Sequence, residues 1–363
     1  MHETVKISSR QLTILAILIT VGDSILILPS IPLHEAKRDA WMSAILGLAL
    51  GLLVVLLFVS AAKINNKLTL IELNKKILGS WIGNSLSLLF LGYVLLSISA
   101  YLREVGDFAI SQVMPDTPIQ AIEILLLLIV IMGVRLGLET FSRVAELWFP
   151  GYIMLSFVLI FTLVPTIDLN KIQPIFDQGF KPILRGTIAC IALPFMELVI
   201  FMMIFPSVNK PNEIKRGMFL GALLGGILLI IAVTLVILVV GAEPSANSIY
   251  PSYDAVKRIS VGEFFQRVEA TFALMWIVTV YYKITLYFYA FVKGMSQLLM
   301  LKNDRMLTLP TSMIIIVLSL VIAPNISYYD NFTAKYWPYL DLTFCVFLPI
   351  LLLIGYILRK RSS

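Results

Sequence analysis

Apolar residues along this chain fall in long unbroken blocks separated by short polar stretches. Blocks of about 20 apolar residues have the length of a helical bilayer crossing. Ten are read, near 11–33, 40–62, 84–106, 119–137, 144–164, 184–206, 217–241, 265–291, 309–324 and 338–358. The ninth is short and the eighth long. The connecting segments hold most of the polar residues, and none is large enough to fold as a soluble domain. The expected fold is an all-α membrane protein of ten transmembrane helices. No short leader with a small-residue cleavage site is visible, so the first block is read as a retained span.

That first block is unusual. Its stretch VGDSILILPSIP, residues 21–32, places a glycine, an acid and two prolines inside apolar sequence. Proline removes an N–H donor, and glycine permits backbone that other residues resist, so together they can open a helix at membrane depth. The sixth block has a counterpart, CIALPFMELVIFMMIFPSV. In both, an acid precedes an apolar run and a Pro-Ser pair: Asp23 before Pro29 and Ser30, Glu197 before Pro206 and Ser207. The segments that follow also echo one another, AKRDAWMSAILGLALGLL against IKRGMFLGALLGGILL. Interrupted segments at matching places in two halves are the sequence mark of an inverted repeat. The expectation is a single domain of two five-helix repeats, 1–165 and 184–358, with helices 1 and 6 broken. GALLGG at 221–226 is read as close helix packing by small residues.

Composition agrees with a membrane protein. The chain is 59% hydrophobic and 14% charged, with mean hydropathy +0.92. Its formal net charge of +6 is assigned to basic cytoplasmic loops, not to a nucleic-acid partner. With the N-terminus inside, 17 of the 28 lysines and arginines fall on the cytoplasmic side and ten on the outer side, with Lys283 inside a span. Both termini are therefore expected in the cytoplasm. Two histidines, His2 and His34, and two cysteines, Cys190 and Cys345, do not make up a metal set, and no cofactor is expected. The cysteines are read as buried thiols. Neither a phosphate loop nor a nucleophile–histidine pair is present, so an enzyme is not expected.

Asp23, Glu197 and Lys283 are the ionisable residues nearest the middle of spans. Such groups normally face a cavity or a partner. Two acids and a base could form a charge triad among spans 1, 6 and 8, serving ligand binding or only fixing helix packing. Tyr93, Ser97 and Tyr101 share one face of span 3, and span 8 offers Trp276, Thr279, Tyr282, Lys283 and Tyr287. Gly22, Asp23, Ser24, Tyr93, Ser97, Pro194, Glu197, Tyr282 and Lys283 are the candidate ligand-binding residues; ordinary packing remains the alternative for the aromatic ones. Arg103, Glu104 and Asp107 are read as a solvated end of span 3.

The motifs ISSRQL, GDSILILP, RDAWMSAILG, YLREVGDF, PDTPIQ, ELWFPGY, FMELVIFMMIFPSV and YPSYDAVKRISVGEFFQRVEATFALMWIV follow one another along essentially the whole chain. In that order and spacing the sequence resembles the B subunit of GerA-type spore germinant receptors, a branch of the amino acid–polyamine–organocation transporter superfamily. The resemblance implies a LeuT-like fold with ligand held among spans 1, 3, 6 and 8. It also implies a small nutrient ligand, expected to be an amino acid, a partner A subunit, a lipoprotein C subunit and residence in the spore inner membrane. An amino-acid permease and a scaffold subunit without its own ligand are the rival readings. One departure stands out. Asp23 occupies a place in the first-span break where the superfamily usually has a small residue, and an ionised Asp23 would repel a ligand carboxylate.

Overall fold

The computed structural model describes residues 6–259 and 268–361. Among them, ten helices are long and apolar enough to cross a bilayer. Span 1 comprises three helical pieces, Ser9–Val21, Ser24–Ile27 and Ser30–Ala36. Lys37, with φ 48°, turns the chain into span 2, Ala40–Ala62. Spans 3, 4 and 5 are Ser80–Val113, Ile119–Leu136 and Leu138–Thr166. Span 6 is Phe180–Met203, span 7 Pro211–Val239, span 8 Val268–Leu298, span 9 Asp304–Val321 and span 10 Trp337–Lys360. Span 5 begins six residues earlier than the sequence reading, because Gly137 at φ 91° makes the whole connection to span 4 and only glycine takes that conformation freely.

Local chemistry sets several helix starts. Ser8 and Gln11 cap each other at the start of span 1, side chain to backbone at 3.1 and 2.9 Å. Thr69 and Glu72 do the same for the short helix Leu70–Leu78 between spans 2 and 3. Such reciprocal caps satisfy N–H groups that a helix start leaves open.

The first span of each half packs on the second span of the other: span 1 lies along span 7, and span 6 along span 2. Glycines permit the approach. A Cβ on Gly221 would sit 2.4 Å from Ala16 Cβ, and one on Gly225 2.7 Å from Thr20 Cβ. On the other side, a Cβ on Gly47 would sit 2.4 Å from Cys190 Cβ, and one on Gly51 2.3 Å from the Phe195 ring. GALLGG therefore packs helices, as read. Spans 6, 1, 8 and 3 are the most enclosed, while spans 5, 9 and 10 turn most of their surface outward. Residues such as Leu147, Met154, Phe161, Met313 and Val317 form that apolar exterior.

Both ends of the described chain lie at one end of the bundle. Ile7 pairs its backbone with Ser207 and Asn209 just past span 6, and Arg359 bonds the Lys76 carbonyl of the helix Leu70–Leu78. The opposite end carries the short helices Ala242–Ala246, Pro251–Lys257 and Ile326–Lys335. Arg267, counted among the basic residues of that end, lies outside the described residues.

Candidate functional site

The break in span 1 follows from its residues. Gly22 N–H still bonds the Leu18 carbonyl, and the next bonds of this backbone run from Leu26 and Ile27 to the Asp23 carbonyl. The Gly22 carbonyl is thereby freed, and Thr279 of span 8 reaches it at 3.2 Å, sharing its proton with the Trp276 carbonyl. Pro29 has no N–H to offer the Ile25 carbonyl one turn earlier. Ser252, on the helix Pro251–Lys257, donates to that carbonyl at 2.6 Å. Open backbone at membrane depth survives because the protein satisfies it.

Span 6 breaks differently. Its regular helix runs through Pro194, which leaves the Cys190 carbonyl one turn earlier without that N–H, and gives way after Phe195 to 3₁₀ winding over Met196–Met203. The Glu197 carbonyl accepts from Tyr287 Oη of span 8 at 2.8 Å, and its carboxylate Oε1 accepts from Trp337 Nε1 of span 10 at 3.2 Å.

Lys283 joins the two breaks. Its ammonium pairs with both Asp23 and Glu197, and all three side chains are at most 2% exposed. The ammonium also stands 4.5 Å from the centre of the Tyr101 ring, whose edge meets Tyr287 at 5.4 Å. Gly22 belongs to this cluster by close approach, since a Cβ there would lie 2.9 Å from Lys283 Cδ. Ser24 Oγ is 3.5 Å from Asp23 Oδ1. With all three groups ionised the trio carries one excess negative charge, in a place where charge must be paired or solvated.

The remaining candidates divide. Tyr93 donates to Asp341 Oδ1 of span 10 at 2.8 Å, accepts from Cys345 Sγ at 3.3 Å and stacks on Phe344. Ser97 bonds back to the Tyr93 carbonyl at 2.9 Å. Tyr93 thus links span 3 to span 10, where a π-helical turn, Leu342–Phe347, follows Asp341, while Ser97 stays within its own helix. Pro194 acts through the backbone of span 6. Tyr282 is buried with its ring against Tyr281, and no hydrogen bond links it to the trio among the described residues. Both cysteines are free and buried. Among the described residues no group of His, Cys, Asp or Glu is placed to hold a metal ion.

One sequence expectation fails outright. Arg103, Glu104 and Asp107 are not a solvated helix end but are 7%, 2% and 4% exposed. Span 3 runs on to Val113, and the helix Ile326–Lys335 covers it there. Arg103 pairs with Asp107 at 2.8 Å and donates to the Ser319, Leu320 and Ala323 carbonyls, capping span 9. Sequence reading also missed Trp337 and Ser252 as partners of the breaks and Asp341 as the partner of Tyr93. The acid in WPYLDLTF was a signal, but it fell so near the expected start of span 10 that it read as a helix end.

Two spaces border span 1. An apolar cavity of about 80 Å³ borders the span 1 break through Ile25, Trp276 and Thr279, and spans 5 and 7 form its far wall. A vestibule of about 310 Å³ opens at the end bearing Ile326–Lys335, lined by His34, Glu35 and Asp330 among others. Burial raises the Asp330 carboxyl above its usual range, and nearby His34 opposes this.

Residues 6–327 match the family profile described as spore germination protein. The chain belongs to that family. It is 31% identical to spore germination protein KB of Bacillus subtilis (strain 168), over 99% of this chain and 96% of that one. It is 24% identical to spore germination protein YndE of the same organism, over 81% of each chain. Among solved structures, it is similar to MhsT in complex with L-phenylalanine, with a TM-score of 0.64 at 13% identity, covering 96% of this chain and 97% of that one. It is also similar to Mhp1, a nucleobase-cation-symport-1 family transporter with bromovinylhydantoin bound, with a TM-score of 0.67 at 10% identity, covering 90% and 74%. The fold is thus that of LeuT-type transporters with interrupted helices. This spore germination family member is an integral membrane protein with ten helices long and apolar enough to cross a bilayer among its described residues.

Proposed function

We propose that this protein is the germinant-sensing B-type subunit of a spore nutrient receptor, binding a small nutrient, expected to be an amino acid, where spans 1, 3, 6 and 8 meet. The observation that carries the reading is Lys283 clasping an acid from each broken span inside the most enclosed part of the bundle. An amino acid bears both charges of that clasp. Its carboxylate competes for the Lys283 ammonium, and its ammonium competes for Asp23 or Glu197, which removes the conflict between Asp23 and a ligand carboxylate. Replacing the clasp changes what ties spans 1 and 6 to span 8. A ligand shifts such an equilibrium only as far as it binds the two arrangements unequally. The signal would pass to an A-type membrane subunit and a lipoprotein C subunit in the spore inner membrane.

The reading takes residues 1–165 and 184–358 as two inverted repeats, supported by the exchanged packing of spans 1 and 6 on spans 7 and 2. It places both termini in the cytoplasm. Three basic residues counted against that orientation are spent on helix ends: Arg103 on span 9, and Lys171 and Arg258 on the Val239 carbonyl of span 7. Single cysteines at Asn66, Asn212 and Asn303 should then label from the cytoplasmic side and ones at Asn170 and Asn247 from outside; the reverse pattern rejects the orientation.

The deciding experiment is a nutrient dose response in spores carrying this receptor alone. Asp23→Asn and Thr279→Val should move the half-response about tenfold, the equivalent of about 1.4 kcal/mol, at unchanged receptor abundance. If both variants alter abundance alone, the cluster packs the bundle and the nutrient binds elsewhere. The likeness to transporters favours a second reading, an active amino-acid permease, and uptake of labelled amino acid into proteoliposomes separates it from a sensor.

A further inference from the structure

Glu104 sits one turn beyond Tyr101 on span 3 and is 2% exposed, yet neither of its carboxylate oxygens has a hydrogen-bond partner. Both nearby cations are engaged elsewhere: Lys283 with Asp23 and Glu197, Arg103 with Asp107 and the end of span 9. Glu104 lines a small space of about 10 Å³, walled also by Asp107, Tyr250, Tyr329, Asp330 and Thr333. That is room for a single water-sized group. Thr333, 5% exposed, brings its hydroxyl to the same space beside Tyr329. Two orphan carboxylate oxygens and a buried hydroxyl from a second element thus line one water-sized space. The space shares Ile31, Ile249 and Asp330 with the 310 Å³ vestibule, so those side chains alone stand between the two.

We propose that the Glu104 pocket binds a small monovalent cationic group, an ammonium head or an alkali ion, entering through the vestibule. An unpartnered buried carboxylate is strongly disfavoured as a bare charge, so it takes a proton or a cation. The hydroxyl of Thr333 beside it suits a cation, since its oxygen can add to the coordination. Asp107 is already paired with Arg103, so the charge left to balance is the single one of Glu104, which a monovalent guest matches. Where the bound group is the nutrient's own ammonium, the assignment rests on the function proposed above; for an inorganic ion it does not.

The test uses the purified full-length protein in detergent, at constant ionic strength in choline chloride. Melting temperature is followed while ammonium, potassium, sodium or methylammonium chloride replaces choline, and separately on adding L-alanine or its amine-free analogue propionate. A saturable rise is expected with a small cation, or with alanine and not propionate. The first result assigns an inorganic ion and the second a nutrient ammonium. Glu104→Gln removes the charge at constant shape and should weaken the apparent affinity about tenfold or more, and Thr333→Val should weaken it less. In choline alone, Glu104→Gln should melt no lower than the parent, which verifies folding. Equal responses in the parent and Glu104→Gln, or none in either, overturn the assignment and leave Glu104 a protonated acid. Alanine binding that survives Glu104→Gln and is lost in Asp23→Asn sinks this site while sustaining the central one.

Discussion

The two interrupted helices meet at one lysine but are broken by different means. Span 1 opens its backbone: two carbonyls, those of Gly22 and Ile25, leave the helix ladder and are held by hydroxyls from Thr279 and Ser252. Span 6 tightens instead, passing from α to 3₁₀ winding over eight residues, with the Glu197 carbonyl held by Tyr287. The first break depends on donors supplied by the 251–257 helix and span 8, and the second mostly on its own winding. Span 8 serves both breaks, so it is movement of the 251–257 helix that would disturb span 1 more than span 6. This difference marks span 1 as the more responsive half of the clasp.

The largest expected effect comes from cutting the clasp. Lys283→Met leaves two buried carboxylates without their cation, which costs about 3–5 kcal/mol. Receptor abundance should collapse. Adding Glu197→Gln should restore part of it, and adding Asp23→Asn as well should restore more, because each removes an orphaned charge. Immunoblots of spore membranes measure this, and the double-mutant cycle gives the coupling. Strictly additive losses would show that the acids do not depend on Lys283. Unequal rescue by the two acids would tell which break leans harder on the lysine.

The next effect tests the paired packing. Gly221→Val drives a Cβ into Ala16 of span 1, and Gly51→Val drives one into the Phe195 ring of span 6. Overpacking of this kind costs about 1–3 kcal/mol. Comparable falls in melting temperature are expected, since each glycine holds one broken helix to the second helix of the opposite repeat. A loss confined to Gly51→Val would mean that span 1 can yield where span 6 cannot, sharpening the contrast between an adaptable and a fixed break.

How much of this was legible beforehand follows from length scales. The ten spans and the positions of both breaks could be read because block length, glycine, proline and intramembrane charge are local signals, and the three charges that meet were each anomalous in their own span. Which groups satisfy the breaks was not legible. Ser252 lies on a short polar helix between spans, and nothing local distinguishes it from a solvated serine. Glu104 and Arg103 looked like a helix end because hydropathy falls there, whereas the helix Ile326–Lys335, itself polar, covers them. Tyr93 shared a helical face with Ser97 and Tyr101, but only the tertiary fold assigns its hydroxyl to Asp341. Residues that answer to a neighbour 90 to 250 positions away leave no mark in their own segment.

The smallest expected effect probes the responsive break itself. Pro29 cannot donate to the Ile25 carbonyl, and Ser252 donates to it at 2.6 Å. Ser252→Ala should therefore cost about 1 kcal/mol, within the range of interhelical hydrogen bonds in membrane proteins. Pro29→Ala returns an N–H to residue 29, one helical turn from that carbonyl. In the Pro29→Ala background the serine is partly redundant, so Ser252→Ala should cost less there than in the parent. Melting temperatures of the four purified proteins close the cycle. A Ser252→Ala loss that is the same in both backgrounds would show that the serine is not replacing the donor that proline lacks. Span 1 would then be held open by the Asp23–Lys283 pair and the Thr279 contact alone, and the contrast with span 6 would narrow to the sharing of one lysine.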